Sequence, residues 1–303
     1  MTYDVLVQGI ISTDIIFSSI PKLPKPGEEV YCASFEFTCG AAYNTAVALS
    51  RLGMKVAVIS PIGNDFLSRF MKESLEAEGV STSLMLEVDQ PLRCLSVAIN
   101  YGGDRSFLSY QDNVEKLNLA DYAKTVIQKT DSKVLHTGAV RENISVIETA
   151  KKKGMYISLD VGWDEEWLTN PQLDELIKMA DIFTPNQKEA ETITGLLNPL
   201  EAIEKLNKYA APVVIKLGEE GAIVRYKNAT KKILGYKCSA VDTTGAGDVF
   251  SAGLLTGILK GWSLDDSVKL GNYCGSCSVQ SLGGTTSSPT WQQVQQDFFE
   301  PSK

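Results

Sequence analysis

The sequence is poor in histidine and in positive charge. Its only histidine is His136. A single histidine excludes metal sites built from several histidines and makes a Ser-His-Asp triad improbable. Lysine and arginine number 29 against 37 aspartates and glutamates, so the net charge is −8. The basic clusters are confined to residues 151–153 and 231–232, so we expect neither nucleic acids nor anionic membrane surfaces as partners.

Long hydrophobic segments are also absent from the sequence. No apolar run reaches the roughly 18 residues needed to span a bilayer, and the N-terminus enters a strand pattern with no basic region or cleavage site. We therefore expect a cytoplasmic protein with six reduced cysteines. Cys274 and Cys277 form a CxxC pair in an apolar helical stretch, and we interpret them as small buried residues and not as a redox site.

Two common nucleotide-binding signatures are missing as well. The sequence contains no Walker A motif, GxxxxGK[ST], and no GxGxxG turn after a strand. Neither a P-loop nor a dinucleotide site is therefore supported. A phosphate site in this protein must be built in another way.

Short apolar segments alternate with amphipathic segments along most of the 303 residues. The segments with strand character are 4–11, 56–60, 134–136, 156–160, 182–184 and 213–217. The segments with helical periodicity are 44–52, 66–78, 144–152, 173–179, 188–194 and 200–209. This alternation predicts an α/β fold with a mainly parallel sheet and ligands at the carboxyl ends of its strands. Because no interdomain linker is visible, we expect one domain over residues 1–303.

Two β-rich segments interrupt the alternation. Residues 12–38 contain several prolines and then an alternating stretch from Val30 to Phe37. Residues 94–110 have the pattern of a hairpin around a Tyr-Gly-Gly-Asp turn. Neither segment has a helix of its own, so the two can form one small sheet over the site. The pattern alone is equally compatible with a lid and with an extension of the main sheet edge.

The most informative segment is Val-Asp-Thr-Thr-Gly-Ala-Gly-Asp-Val-Phe-Ser-Ala-Gly at residues 241–253. Gly245 and Gly247 flank Ala246, Asp248 follows, and an apolar helical run begins at once. A glycine-rich turn at a helix start presents unpaired backbone N–H groups at the positive end of the helix dipole, and this makes an anion site. A carboxylate beside that anion can accept a proton from an attacking group. The segment therefore indicates phosphoryl transfer to a hydroxyl group.

This segment resembles the C-terminal signature of the ribokinase-like (pfkB) family of carbohydrate kinases. Residues 39–46, Cys-Gly-Ala-Ala-Tyr-Asn-Thr-Ala, followed by Gly53 and Gly63, are similar to the family's first signature, although Cys39 stands where glycine or alanine is usual. The resemblance implies an ATP-dependent kinase with a ribokinase-like fold, in which helices flank a mainly parallel central sheet. It also favours a small β lid formed by about 12–38 and 94–110.

The resemblance implies which residues bind the sugar and transfer the phosphoryl group. Asp14 and Asn44 match positions that bind sugar hydroxyls, and Gly40 belongs to the same site. Without the family, Asn44 would be interpreted as a helix N-cap and Asp14 as a loop residue. Asp248 matches the general base, and the backbone of residues 245–248 matches the anion hole.

The resemblance implies further groups for ATP and for metal ions. Asn186 and Glu189 match the NxxE motif that organises a hydrated Mg²⁺, although the same pair fits a capping box at a helix start. The implied nucleotide-binding residues are Lys216, Gly218, Gly221 and Asn272. The positions that surround a monovalent cation such as K⁺ in ribokinase-type members are Asp242, Thr244, Ser281, Gly283 and Ser287.

These residues together predict ATP-dependent phosphorylation of a hydroxymethyl group on a small sugar, such as ribose, fructose or a keto-deoxy acid. A nucleoside kinase of the same family and a non-catalytic sugar or nucleotide sensor are the alternatives. Sugar phosphates are disfavoured because Ala41 and Ala42 offer no basic side chain. The family also forms dimers through lid strands, and exposed Tyr31, Phe35 and Phe37 would permit a homodimer here.

Overall fold

Strands and helices alternate along the chain in this computed structural model, which describes residues 2–101, 104–209, 211–227 and 229–298. The strands are β1 Thr2–Gln8, β2 Ile11–Ser18, β3 Ser34–Ala41, β4 Val56–Ile59, β5 Pro61–Ile62, β6 Leu86–Glu87, β7 Cys94–Tyr101, β8 Asp104–Gln111, β9 Asp131–Gly138, β10 Tyr156–Asp160, β11 Ile182–Phe183, β12 Val213–Lys216, β13 Ala222–Tyr226 and β14 Ala229–Ile233. The α-helices are α1 Ala42–Arg51, α2 Phe66–Ala77, α3 Leu119–Lys129, α4 Ile144–Lys152, α5 Glu165–Leu168, α6 Leu173–Met179, α7 Gln187–Thr194, α8 Pro199–Leu206, α9 Ala246–Leu259, α10 Leu264–Ser278 and α11 Trp291–Asp297. Short 3₁₀ helices span Glu115–Leu117, Arg141–Asn143 and Gly218–Glu220.

Eight strands form the central sheet, in the order β14-β13-β12-β11-β10-β9-β1-β4. The strands from β12 to β4 pair in parallel, whereas β13 and β14 add an antiparallel edge. Parallel strands need long crossover connections, and the helices supply most of them. The prediction of a mainly parallel sheet flanked by helices is confirmed.

The hydrophobic core covers both faces of this sheet. Neighbouring residues of one strand point to opposite faces, and the two clusters follow that rule. Leu6, Leu135 and Ile157 belong to one cluster, whereas Val5 and Val134 belong to the other. The central strands are therefore buried on both sides, as is usual in parallel sheets.

A separate sheet contains four strands in the order β3-β2-β7-β8, and we call it the lid sheet. Its β2 pairs antiparallel with β3 and parallel with β7, so the two interrupting segments join in one sheet. The alternative prediction, that these segments extend the edge of the main sheet, is therefore wrong. The turn predicted at 101–104 includes Gly102 and Gly103, which lie outside the described residues. Tyr31 and Phe35 are exposed, whereas Phe37 is half-buried against Phe70 and is not available to a partner as predicted.

The predicted strand over residues 4–11 is in fact two strands, which belong to different sheets. β1 ends at Gln8 in the central sheet, and β2 begins at Ile11 in the lid sheet. Between them, a Cβ on Gly9 would lie 3.2 Å from the Cβ of Ala42. The chain therefore leaves the central sheet at a point where the start of α1 packs closely against Gly9.

The pattern also misses α3, which contributes Ala123 and Ile127 to the core, and the β13–β14 hairpin at the sheet edge. Among the described residues, no helix has the length and apolar character that crossing a membrane requires.

Replacing Leu135 by alanine should lower the free energy of unfolding by about 2–5 kcal/mol, because a fully buried leucine would leave a cavity. Leu197 is 81% exposed, so Leu197→Ala is the control and should change stability by less than ~0.5 kcal/mol. Urea unfolding followed by circular dichroism measures both variants. Similar losses in the two would contradict the assignment of the core.

Candidate active site

Helix α9 begins at a glycine turn with no side-chain cap. Its N-cap is Gly245, whose φ of 70° is left-handed and favours glycine. A Cβ on Gly245 would also lie 2.6 Å from the Cα of Gly284 and 2.8 Å from Nδ2 of Asn44. The uncapped N–H groups at the positive end of the helix dipole make this turn suitable for an anion.

Asp248 lies in the first turn of α9 and is tied to α1. Asn44 Nδ2 donates a hydrogen bond to Asp248 Oδ2 at 3.0 Å. Burial raises the pKa of Asp248 to about 6, and the charge of Asp160 also raises it, whereas Asn44 and Lys216 act in the opposite direction. A carboxylate with this pKa is ionised at neutral pH and is more basic than an ordinary aspartate, which suits a general base.

The predicted sugar-binding residues Asp14 and Gly40 lie on adjacent strands of the lid sheet. Asp14 is 7% exposed, and its Oδ1 accepts a hydrogen bond of 2.8 Å from Ser12. A Cβ on Gly40 would lie 2.0 Å from Asp14 Oδ2, so a side chain at Gly40 would displace this carboxylate. Burial raises the pKa of Asp14, and the Ser12 hydrogen bond partly offsets that effect. Asp14 therefore lies in strand β2, and its interpretation as a loop residue is wrong.

Asn44 is buried in the first turn of α1 and is not its N-cap, which is Ala41. The backbone of Ala41 has a φ of 56°, an uncommon value for a residue with a side chain, and it turns β3 directly into α1. Asn44 Oδ1 has no hydrogen-bond partner in the described structure. Because an unpaired buried amide oxygen is costly, this atom is suited to accept a hydrogen bond from a ligand hydroxyl.

Lys216 ends β12 and forms an ion pair with Asp160 at the end of β10. The distances from Nζ to the two carboxylate oxygens of Asp160 are 2.8 and 3.0 Å. The ammonium group also lies beside the glycine turn, since a Cβ on Gly247 would be 3.3 Å from it. The sequence reasoning missed Asp160, although an acidic residue at the carboxyl end of a predicted strand was a usable signal.

The NxxE residues form a complete capping box at the start of α7. Asn186 Oδ1 accepts from the Glu189 N–H at 2.9 Å, and Glu189 Oε2 accepts from the Asn186 N–H at 2.7 Å. Burial raises the pKa of Glu189 to about 7, against the effect of the Lys216 charge. The capping interpretation is therefore correct, and it leaves the second carboxylate oxygen, Oε1, for another role.

These groups fit a hydrated metal ion better than a directly coordinated one. In the part of the chain that the structure describes, no three His, Cys, Asp or Glu side chains converge as metal ligands. Mg²⁺ usually keeps several waters and needs only one or two protein carboxylates. Glu189 supplies such a carboxylate within electrostatic range of Lys216 and Asp248.

The other predicted nucleotide-binding residues converge on the loop after β14. Asn272 Nδ2 donates to the carbonyl oxygens of Ile233 and Leu234, each at 3.1 Å. A Cβ on Gly221 would lie 2.2 Å from that same Ile233 carbonyl oxygen, and Gly218 begins the short helix before Gly221. The amide nitrogen of Asn272 thus holds the loop in place.

Three of the five predicted cation-site residues are joined by hydrogen bonds. Asp242 is 3% exposed and accepts from the N–H and Oγ1 of Thr244 and from the N–H of Gly283. Ser287 instead donates to the carbonyl oxygens of residues 277 and 278 at the end of α10. Ser281 lies in a bend between the end of α10 and Gly283.

His136 is a buried residue of β9, and the two CxxC cysteines belong to α10. His136 Nδ1 lies 3.0 Å from Ser158 Oγ, and burial lowers the pKa of His136 to about 4, which keeps the ring neutral. All six cysteines are free, and Cys274 is buried in α10.

Comparison with known proteins identifies the family. The profile described as "pfkB family carbohydrate kinase" matches residues 4–291. The chain belongs to the pfkB family of carbohydrate kinases. It is an enzyme that phosphorylates a sugar or a nucleoside, and the prediction of a carbohydrate kinase is confirmed.

Relatives of this pfkB kinase match it over most of their length. It is 29% identical to a ribokinase of Haemophilus influenzae, over 95% of this chain and 96% of the relative. It is 31% identical to a 2-dehydro-3-deoxygluconokinase of Bacillus subtilis, over 84% of each chain. Among solved structures, Arabidopsis thaliana ribokinase complexed with ribose and ATP superposes with a TM-score of 0.81 at 23% identity, covering 98% of both chains. That likeness confirms the ribokinase-like fold.

Replacing Asp248 by asparagine should stabilise the pfkB kinase at pH 8. Because burial raises the pKa of Asp248 from 3.8 to about 6, ionisation of this group costs the folded protein free energy above pH 6. The cost disappears as the pH falls toward 4. Asparagine removes it, so the free energy of unfolding should rise by about 1–3 kcal/mol at pH 8 and hardly change at pH 4.

The control for this measurement is Asp4→Asn. Hydrogen bonds from Lys133 and from the Lys55 N–H outweigh the burial of Asp4 and lower its pKa, so this variant should lose stability at pH 8. Chemical denaturation at both pH values gives the comparison. A loss of stability in Asp248→Asn at pH 8 would contradict the raised pKa.

Proposed function

We propose that this pfkB kinase transfers the γ-phosphoryl group of ATP to a hydroxymethyl group of a small sugar. The observation that carries the proposal is the start of α9, where Asp248 lies beside an uncapped glycine turn and is held by Asn44 at 3.0 Å. One helix start thus offers both an anion site and a base. Phosphoryl transfer requires little else besides positioning and electrostatic stabilisation.

The sugar would bind between the lid sheet and the start of α1. Asp14 and Asn44 would hold its hydroxyl groups, and Gly40 would leave the room that Asp14 needs. The unpaired Oδ1 of Asn44 would then gain the donor that it lacks. The names of the related ribokinase and 2-dehydro-3-deoxygluconokinase support a sugar as acceptor, and a nucleoside is the second candidate.

Asp248 would accept the proton of the attacking hydroxyl group. The proton leaves the oxygen as that oxygen forms its bond to phosphorus, and ADP departs on the opposite side. The backbone amides of Gly245, Ala246, Gly247 and Asp248 would stabilise the charge on the transferring group.

ATP and its metal ion would lie on the side of Lys216 and Glu189. Gly218, Gly221 and Asn272 would shape the nucleotide site around the loop after β14. When bound, Mg²⁺ would neutralise charge on the ATP phosphates. Asn186 and Glu189 would hold it through water molecules, because their own hydrogen bonds already fix both side chains.

The segment around Asp242 would bind a monovalent cation such as K⁺. Asp242 is buried, and its two carboxylate oxygens accept from the N–H groups of Thr244 and Gly283, which fixes this carboxylate in the loop that leads to the glycine turn. Ser281 and Ser287 would complete the site. A cation there would support the loop that precedes α9.

We further propose that the chain is one domain in which the lid sheet covers the sugar site. Tyr31 and Phe35 are 81% and 55% exposed, and they favour a homodimer through this sheet. The cytoplasmic location and the absence of nucleic-acid and membrane partners remain predictions.

Acceptor-dependent release of ADP across a panel of sugars, keto-deoxy acids and nucleosides tests the proposed function. A sugar that contains a free hydroxymethyl group should support turnover, and the rate should be higher in K⁺ than in Na⁺ buffer if the cation site is correct. Turnover with nucleosides alone would favour the second candidate. Binding without any turnover would favour a sensor.

Asp248→Asn should lower kcat by ~10²–10⁴, the usual contribution of a general base. The same variant is expected to be at least as stable as the parent at pH 8, so the loss would not reflect misfolding. The assay uses the best acceptor from the panel, with Asp4→Asn as the control that keeps its kcat. A loss smaller than ~tenfold would exclude Asp248 as the base.

A further inference from the structure

The ion pair between Lys216 and Asp160 suggests a role for Asp160 in the reaction, an inference that rests on the proposed function. Among the described residues, the hydrogen bonds of the Asp160 side chain go to Val161, Lys216 and Ser251, and not to the glycine turn or to the predicted sugar-binding residues. Its carboxylate instead holds Lys216 Nζ at 2.8 and 3.0 Å. Both side chains are largely buried, with 15% and 13% of their side-chain surface exposed.

The carboxylate of Asp160 is itself fixed from two sides. Its Oδ1 accepts from the Val161 N–H at 2.9 Å, and its Oδ2 accepts from Ser251 Oγ at 3.1 Å. Ser251 belongs to α9, one turn after Asp248. The helix that carries the base therefore also orients the carboxylate that holds the lysine.

Lys216 reaches the anion site along the backbone of Gly247. A Cβ on Gly247 would lie 3.3 Å from Nζ, 3.8 Å from Cε and 3.9 Å from Cδ of Lys216. Among the described residues, only Asp160 forms hydrogen bonds with the ammonium group. An ammonium group has three N–H donors, so one of them is left for a ligand.

The donors at this point suit a phosphoryl group that binds together with its metal ion. The start of α9 is the positive end of a helix dipole, and the Lys216 ammonium lies beside it. The carboxylates of Asp160, Glu189 and Asp248 already act on that ammonium group. A phosphoryl group would accept from the glycine turn and from the N–H of Lys216 that Asp160 leaves, and its metal ion would offset the excess of carboxylates.

A purely structural ion pair would not require this location. Replacing a buried ion pair by apolar residues is often neutral or even stabilising, so stability alone does not explain a lysine at the anion site. The pair lies at the carboxyl ends of β10 and β12, on the functional edge of the sheet. These observations assign the pair to ligand binding.

We propose that Asp160 is a positioning residue that holds the Lys216 ammonium against Gly247, where it binds the phosphoryl group transferred from ATP. Lys216 is then the residue in contact with the substrate, and Asp160 acts mainly through it, with a smaller effect of its charge on Asp248. His136, although near, stays neutral and does not compete for Asp160.

A double-mutant cycle on the full-length chain tests this proposal. The variants are Asp160→Asn, Lys216→Met and the double variant, and the measurements are kcat, KM for the acceptor, and equilibrium binding of ATP with Mg²⁺. Each single variant should lower kcat by about 10²-fold and weaken ATP binding by about tenfold, while KM for the acceptor changes less than about threefold. The double variant should resemble Lys216→Met within about threefold, because Asp160 has little effect without the lysine.

Lys133 and Asp4 provide a control ion pair, since their Nζ–Oδ1 distance is 2.8 Å and they lie at the amino ends of β9 and β1, away from the site. Lys133→Met and Asp4→Asn should leave kcat and ATP binding unchanged. If Asp160→Asn costs as much in the Lys216→Met background as in the parent, Asp160 acts independently and the proposal is wrong. It is also wrong if the parent binds ATP and neither single variant changes that affinity.

The binding measurement needs no acceptor, so it separates this proposal from the proposed function. If the parent phosphorylates nothing but the variants show the coupled loss of ATP affinity, the result would support the Lys216–Asp160 unit and overturn the kinase assignment of the site. A parent that binds no ATP would overturn both.

Discussion

The hydrogen bond between Asn44 and Asp248 joins the two halves of the site, and the surrounding structure is built to permit it. Gly245 and Gly284 have no side chains because a Cβ at either position would strike Asn44. On the other side, β3 of the lid sheet passes through the uncommon backbone of Ala41 directly into α1. Gly40, Asn44 and the proposed base are therefore placed by one continuous piece of chain and one contact of 3.0 Å, and Asp14 joins them through the pairing of β2 with β3.

A second constraint is the concentration of charge in a poorly hydrated cleft. Three carboxylates, those of Asp160, Glu189 and Asp248, interact with the single ammonium group of Lys216. Burial opposes the ionised form of Glu189 and Asp248, so the unliganded protein is less stable than it would be with amides in these places. A loss of stability of this kind is common at functional sites. Bound phosphates would supply negative partners for the N–H groups and the ammonium group of the cleft, and their metal ion would supply positive charge for its carboxylates.

Local patterns were sufficient to predict the sheet and the glycine turn, but not the contacts that depend on strand order. The alternation of short apolar and amphipathic segments predicts β10, α4 and α6 with the observed bounds, because periodicity is a local property. Asp160 and Lys216 lie 56 positions apart, and they meet only because β11 is the one strand between β10 and β12. The break at Gly9 was missed for the opposite reason, since two consecutive strands form one apolar run although they join different sheets.

The same arrangement explains why the reaction is easier to infer than the acceptor. The groups proposed for the chemistry are local in sequence, in a helix start whose glycines and carboxylate leave a clear pattern. The groups proposed for the acceptor lie on β2, on β3 and at the start of α1, and Asp14 on β2 depends on a glycine in the neighbouring strand. The shape of that part of the site is set by the pairing of the lid sheet and by how far it lies from α9. We therefore expect acceptor choice to depend on the lid sheet and to change while residues 245–248 stay the same.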